Sequence, residues 1–221
     1  MDFPALAMAA PALWSGLLVT LQLTVLAVAG GTLLGTLLAL LRLSRQPLLA
    51  WLAAAYVNLF RAVPLLLVII WFYLAVPLLL RALTGEDTPV GAFGACLVAF
   101  ILFEAAFFCE VVRAGIQSIP RGQFNAALAL GLTPGQSLRR VILPQAFRNM
   151  LPLLLQQSII LFQDTSLVYA VGLGDFLNTA RTQGEIRGEL HPFLLLAGLV
   201  YFLLSLAASR LVRRLQTGQA R

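Results

Sequence analysis

The sequence predicts an all-α integral membrane protein of five transmembrane helices, N-terminus outside and C-terminus inside, with a two-helix cytoplasmic coupling loop between spans three and four. Three observations carry that expectation. Of the 221 residues, 60% are hydrophobic and only 11% charged, whereas a soluble domain carries about 25% charged residues. Five apolar stretches are long enough to cross a hydrocarbon layer of about 30 Å, which takes about 20 helical residues. All 15 basic residues are Arg, and they are distributed unevenly around those stretches.

The spans are expected at Leu17–Leu41, Ala62–Leu80, Val90–Cys109, Asn149–Gly172 and Pro192–Ser209. Each must be helical, because a lipid-facing backbone finds no water to satisfy its polar groups. The runs are continuous, which argues against the short alternating strands of a membrane β-barrel. The first is too long for a signal-peptide core of about 7 to 15 residues, and no basic segment precedes it. Within it Ala27, Gly31, Gly35 and Ala39 recur every four residues and form a small-residue stripe that admits another helix closely, either from the same bundle or from another subunit.

Arginine placement sets the orientation, since cytoplasmic loops near span ends hold the excess of basic residues. Arg42, Arg45, Arg61, Arg113, Arg121, Arg139, Arg140, Arg148, Arg210, Arg213, Arg214 and Arg221 fall on one side; Arg81, Arg181 and Arg187 fall on the other, with Asp2, Glu86, Asp87, Asp175, Glu185 and Glu189. The side with twelve arginines is read as cytoplasmic. The C-terminal group serves as an anchor near anionic lipid.

Composition also excludes function classes. Without lysine there is no Walker P-loop and no Schiff-base chemistry. One His and two Cys leave no zinc site or nucleophile–base pair, so no metal, cofactor or catalytic residue is expected. Cys96 and Cys109 stand about 20 Å apart along one helix, too far for a disulfide. The +6 charge has no basic run or stacking platform beside it, which argues against nucleic acid.

Between spans three and four, from about 115 to 147, hydropathy falls but local order signals are strong. Ser118 and Pro120 read as a helix start and Gly131 as its stop. Thr133, Pro134 and Gln136 read as a second start with a capping box, and Pro144 as its end. Phe124, Ala127 and Leu128 then share one face, and Leu138, Val141 and Ile142 another. A hairpin this small cannot bury both patches. One is expected on the membrane bundle and the other at a docking surface, with an amphipathic loop lying on the membrane as the rival reading.

Intramembrane acids are costly, about 2.5 to 3.5 kcal/mol for a central Asp, and therefore mark function by default. Glu104 interrupts the third span, and Asp164, flanked by Gln163, Thr165 and Ser166, interrupts the fourth. Either these carboxylates grip the ammonium group of a substrate through charge-assisted bonds, or they pair with Arg61 or Arg113 and fix helix packing.

The stretch Asn125-Ala126-Ala127-Leu128-Ala129-Leu130-Gly131, followed by Val141-Ile142-Leu143-Pro144, resembles the cytoplasmic EAA loop of ABC importer permeases, with Asn125 standing where the consensus has glutamate. Leu18-Val19-Thr20-Leu21-Gln22, Phe60-Arg61-Ala62-Val63-Pro64 and Glu110-Val111-Val112-Arg113-Ala114-Gly115 are similar to the polar amino-acid permease group. Ile70-Trp71-Phe72-Tyr73-Leu74 and Phe162-Gln163-Asp164-Thr165-Ser166-Leu167-Val168-Tyr169 are similar to its glutamate/aspartate branch. The resemblance covers residues 13 to 215 or so. It implies a single permease domain, residues 1–221, in the inner membrane of a bacterium, paired with a second permease subunit, identical or homologous. It also implies an ATPase dimer that uses the ATP and an extracytoplasmic binding protein that delivers a polar amino acid, glutamate or aspartate before glutamine, histidine or arginine. ATPase coupling would fall to Gln123, Phe124, Asn125, Ala126, Ala127, Leu128, Gly131 and Pro134, and substrate binding to Glu104, Gln163, Asp164 and Thr165. An ion channel, a secondary transporter and a plain membrane anchor are the readings from other classes.

Overall fold

The computed structural model describes residues 3–85 and 91–219; Asp2, Glu86, Asp87, Val90 and Arg221 lie outside the described residues. The elements are α1 (Phe3–Arg42), α2 (Pro47–Ala62), α3 (Leu65–Thr84), α4 (Ala92–Gln117), α5 (Arg121–Ala129) and α6 (Pro134–Ser137). A π-helical turn (Leu138–Ile142) leads into α7 (Leu143–Asp164), a 3-10 helix (Thr165–Val171) follows it, and α8 (Phe176–Arg187) and α9 (Leu190–Gln219) complete the chain. No strand occurs among the described residues. α1, α3, α4 and α9 are each long and apolar enough to cross a membrane. The segment from Pro134 to Val171 adds a fifth crossing if it and α8, bent from it by 49°, form one broken span.

Two elements differ from expectation on the N-terminal side. α1 runs 40 residues, about 60 Å at about 1.5 Å per residue, because Ala9 and Leu13 upstream of Leu17 bury themselves against Phe176, Ala180, Phe193 and Ala197 of α8 and α9. α2 is a helix of 16 residues where only an arginine-flanked link was expected. Its Ala53 and Val57 fill a layer with Ala105, Ala106, Cys109 and Val112 of α4, and the Tyr56 hydroxyl donates to the Leu102 carbonyl at 2.7 Å.

α4 is the axis of the bundle, with Cys96, Ala99, Phe100, Phe108 and Cys109 fully buried. The small-residue stripe of α1 meets it inside this chain: Ala27 and Ala39 are buried, and a Cβ at Gly35 would lie 2.8 Å from both the Ala105 carbonyl oxygen and the Phe108 Cβ. Both cysteines are buried and unpaired.

The segment from Gly174 to His191, expected as an outer loop, is mostly helix α8, and Asp175 is a buried cap and not an exposed acid. Its carboxylate accepts from the backbone N–H groups of Leu177 and Asn178, both at 3.1 Å. The Phe176 N–H donates to the Thr20 hydroxyl at 3.0 Å. Tyr201 of α9 points its hydroxyl at Asp175 Oδ2, 3.5 Å away, and packs its ring on Phe162 and Phe176. Thr20, Thr165 and Asp175 are all fully buried, so a polar hub ties α1, α8 and α9 together within the apolar bundle.

Gly35→Leu should destabilise the bundle by about 1 to 3 kcal/mol through overpacking, read as a lowered melting temperature in detergent, while Gly122→Ala, which meets no atom within 4 Å, should leave it unchanged. Asp175→Ala removes a helix cap from a buried site and should cost about 2 kcal/mol by the same measurement; Asp175→Asn, which retains one acceptor, should cost less.

Candidate substrate path and coupling insert

The four expected substrate residues fall into two groups, one at the end of α7 and one on α4. Gln163, Asp164 and Thr165 stand at the junction of α7 with the 3-10 helix. Gln163 is exposed, Asp164 half-buried and Thr165 buried, with the Thr165 hydroxyl spent on the Phe162 carbonyl at 2.6 Å. Gln163 opens onto a groove of about 480 Å³ together with Ser166, Tyr201 and Phe202. Glu104 lies apart on α4, fully buried, with Gln157 Nε2 of α7 donating to its Oε2 at 3.0 Å. Its Oε1 is buried with no partner among the described residues. Gln157 and Asp164 are seven residues apart on α7 and so share a face two turns removed. Glu104 of α4 thus contacts, through Gln157, the face of α7 that carries Asp164. Gln157, which supplies the link, lay unmarked in the sequence because a glutamine inside an apolar run has no motif around it.

Neither carboxylate pairs with Arg61 or Arg113. Those arginines converge on Glu110 instead: Arg113 Nη2 lies 2.6 Å from Oε2, Arg61 Nη1 lies 3.7 Å from Oε1, and Arg42 also bonds Oε1. Arg61 stacks over the Phe107 ring at 5.6 Å as well. One carboxylate therefore gathers the ends of α1, α2 and α4 at the arginine-rich end of the bundle. The sequence contained Glu110 only as part of a recognised stretch, since pairing across 68 positions has no local signal.

In the insert, α5 ends as the sequence predicts. Gly131 takes φ +83°, its N–H donates to the Leu128 carbonyl, and the Leu132 N–H donates to the Ala127 carbonyl, the paired bonds of a Schellman ending. The Thr133/Gln136 capping box forms in both directions. Ser118 does not cap α5; it ends α4 by donating to the Gly115 carbonyl and accepting from Asn149. Pro144 does not end the second helix either. The chain widens into the π turn at 138–142, where the Leu143 N–H reaches the Leu138 carbonyl, and Pro144 sits in the first turn of α7, beside the widened turn that accommodates it. The insert's second helix and α7 are consequently one member.

Of the residues expected to couple to the ATPase, Ala127 is buried and Phe124 half-buried, while Gln123, Asn125, Ala126, Leu128, Gly131 and Pro134 are exposed. Leu130 is 84% exposed, the strongest sign of an uncovered apolar tip. Beside it Thr133, Gly135, Gln136, Arg139 and Arg140 line a polar hollow of about 590 Å³. No group of three metal-ligating side chains occurs among the described residues.

Comparison with known proteins agrees with this geometry. The chain is 52% identical over 217 residues to the glutamate/aspartate import permease protein GltK of Escherichia coli O6:H1, covering 97% of this chain and 96% of that protein. It is 34% identical over 206 residues to the arginine transport system permease protein ArtQ of Bacillus subtilis, covering 93% and 91%. Among solved structures, an amino acid ABC transporter crystallised with histidines superposes with a TM-score of 0.86 at 31% identity, covering 96% of each chain. The family model described as binding-protein-dependent transport system inner membrane component matches residues 31–221. The chain belongs to that family, the permease subunits of ABC importers in the bacterial inner membrane.

Proposed function

We propose that this chain is one of two permease subunits in an importer of glutamate and aspartate, residues 1–221 forming a single five-span domain with its N-terminus outside and its C-terminus inside. The observation that carries the substrate is the 52% identity to GltK across 97% of the chain. That level stands well above the 34% to the arginine permease. The orientation rests on twelve arginines against three.

A separate ATPase dimer docks on the insert and hydrolyses ATP, and an external binding protein delivers the amino acid. The exposed tip at Leu130, the capped turn and the unbroken path from Pro134 to Val171 support the insert as the coupling element. A push on α6 is carried along α7 to Asp164.

At the outer end of α7, Asp164 and Gln163 receive the substrate's ammonium group, and Thr165 holds the helical turn that presents them. Glu104 acts through Gln157, holding the face of α7 on which Asp164 sits. The side-chain carboxylate of an acidic substrate meets a cation of the second permease, because Arg42, Arg61 and Arg113 are already engaged by Glu110.

Asp164→Asn should lower uptake of radiolabelled glutamate by the reconstituted complex at least about tenfold, the worth of one charge-assisted bond, at unchanged abundance. Wild-type uptake would remove Asp164 from the path. Gly131→Val forces a β-branched residue into φ +83° and should leave ATP hydrolysis running without matching uptake; preserved stoichiometry would count against the docking assignment.

A further inference from the structure

The coupling insert carries cations and no acid. Between Glu110 and Asp164 stand Arg113, Arg121, Arg139, Arg140 and Arg148, with no Asp or Glu among them. Arg113 is engaged by Glu110, whereas Arg121, Arg139, Arg140 and Arg148 are exposed. Two of these, Arg139 and Arg140, are consecutive in the π turn and both line the hollow of about 590 Å³ with Thr133, Gly135 and Gln136. Consecutive side chains of an α-helix diverge by about 100°; here they share one wall, in a helical type that gathers at functional sites.

The hollow offers donors. Gln136 Oε1 accepts from the Thr133 N–H at 3.0 Å, and the Thr133 hydroxyl oxygen accepts from the Gln136 N–H at 3.3 Å. These bonds occupy the side-chain acceptors and leave Gln136 Nε2 and the Thr133 O–H to donate beside two guanidiniums, which carry donors alone. Glu110, the acid that precedes the insert, is already held by Arg42 and Arg113. The occupant that matches is a carboxylate from outside this chain.

α5 distinguishes a protein carboxylate from the headgroups of the membrane. A helix that lies on lipid turns its apolar side outward. Here that side is turned inward, Ala127 being buried and Phe124 half-buried, while the outward Gln123, Asn125, Ala126 and Ala129 are polar or small. A concave site also fits a projecting side chain better than a flat surface. Asn125 brings no charge to the contact, so the arginines alone supply it.

We propose that Arg139 and Arg140 receive an acidic side chain of the ATPase, the hollow forming the ion-paired part of the docking surface and Leu130 its apolar part. The proposal rests on the insert being where the ATPase docks.

The test places photoreactive benzoylphenylalanine at Leu130, or at Gly135, where an added Cβ meets no atom within 4 Å, in the assembled complex, and sequences the cross-linked peptides. Both positions should capture the ATPase, the Gly135 peptide carrying Asp or Glu. Raising salt from about 0.1 to about 1 M, which shortens the screening length from about 10 to about 3 Å, should weaken ATPase binding to the wild-type permease. Arg139→Gln with Arg140→Gln should weaken it about tenfold at low salt and flatten the salt response, at an unchanged melting temperature. Arg121→Gln, outside the hollow, should stay within about twofold of wild type. Reversing the captured acid to Arg should restore the binding lost in Arg139→Glu with Arg140→Glu. Unchanged affinity and salt response in the double Gln variant, with the Leu130 cross-link to the ATPase intact, overturns the acidic partner and leaves the docking assignment standing. A Gly135 cross-link to phospholipid overturns it in favour of the membrane surface. Absence of any Leu130 cross-link to the ATPase overturns the docking assignment, and the proposal with it.

Discussion

A helix that crosses hydrocarbon must satisfy its backbone polar groups within the protein, and the member from Pro134 to Val171 stays helical throughout while changing helical type twice. It widens to π at 138–142 and tightens to 3-10 at 165–171. Both changes keep the backbone helical while altering which side chains face which way. Pro144 sits at the first change, and Gln163, Asp164 and Thr165 gather at the second. Everything proposed for this chain depends on the stretch between them behaving as one strut.

The rest of the bundle holds that strut. α4 supplies the central surface, and α1 closes on it through Gly31 and Gly35; at Gly35 a Cβ would press on the α4 backbone at 2.8 Å from the Ala105 carbonyl oxygen. Two polar clusters pin the ends of the bundle: Glu110 draws in Arg42, Arg61 and Arg113 at the arginine-rich end, and Asp175 joins Thr20 and Tyr201 at the other. Such clusters are costly to break, since a partner removed leaves a desolvated charge or dipole behind. In an apolar bundle they fix register where van der Waals packing alone would permit sliding.

Much of this could be read in the residues. The apolar runs marked α1, α3, α4, α7 and α9, the capping box at Thr133 and the glycine stop at Gly131 formed as their chemistry requires, and Glu104 and Asp164 stood out because charge is rare inside spans. What escaped reading was nonlocal. Pro144 signals a helix end only if the helix cannot widen, and the π turn shows that it can. Asp175 resembled a loop acid because its burial is created by Thr20, 155 positions upstream, and by Tyr201. The extension of α1 to Phe3 needed the α8–α9 surface to exist before Ala9 and Leu13 had anything to bury against.

The most direct measurement of the strut places spin labels at Arg139→Cys in the π turn and Ile160→Cys near the end of α7, and at Arg139→Cys and Leu83→Cys, from the insert to the far end of α3. Distances are read by electron resonance with and without ATP bound to the complex. A constant separation of the first pair with a shift in the second is predicted. A change within the first pair equal to that in the second would show the π turn flexing as a hinge, and would contradict transmission from the insert to Asp164.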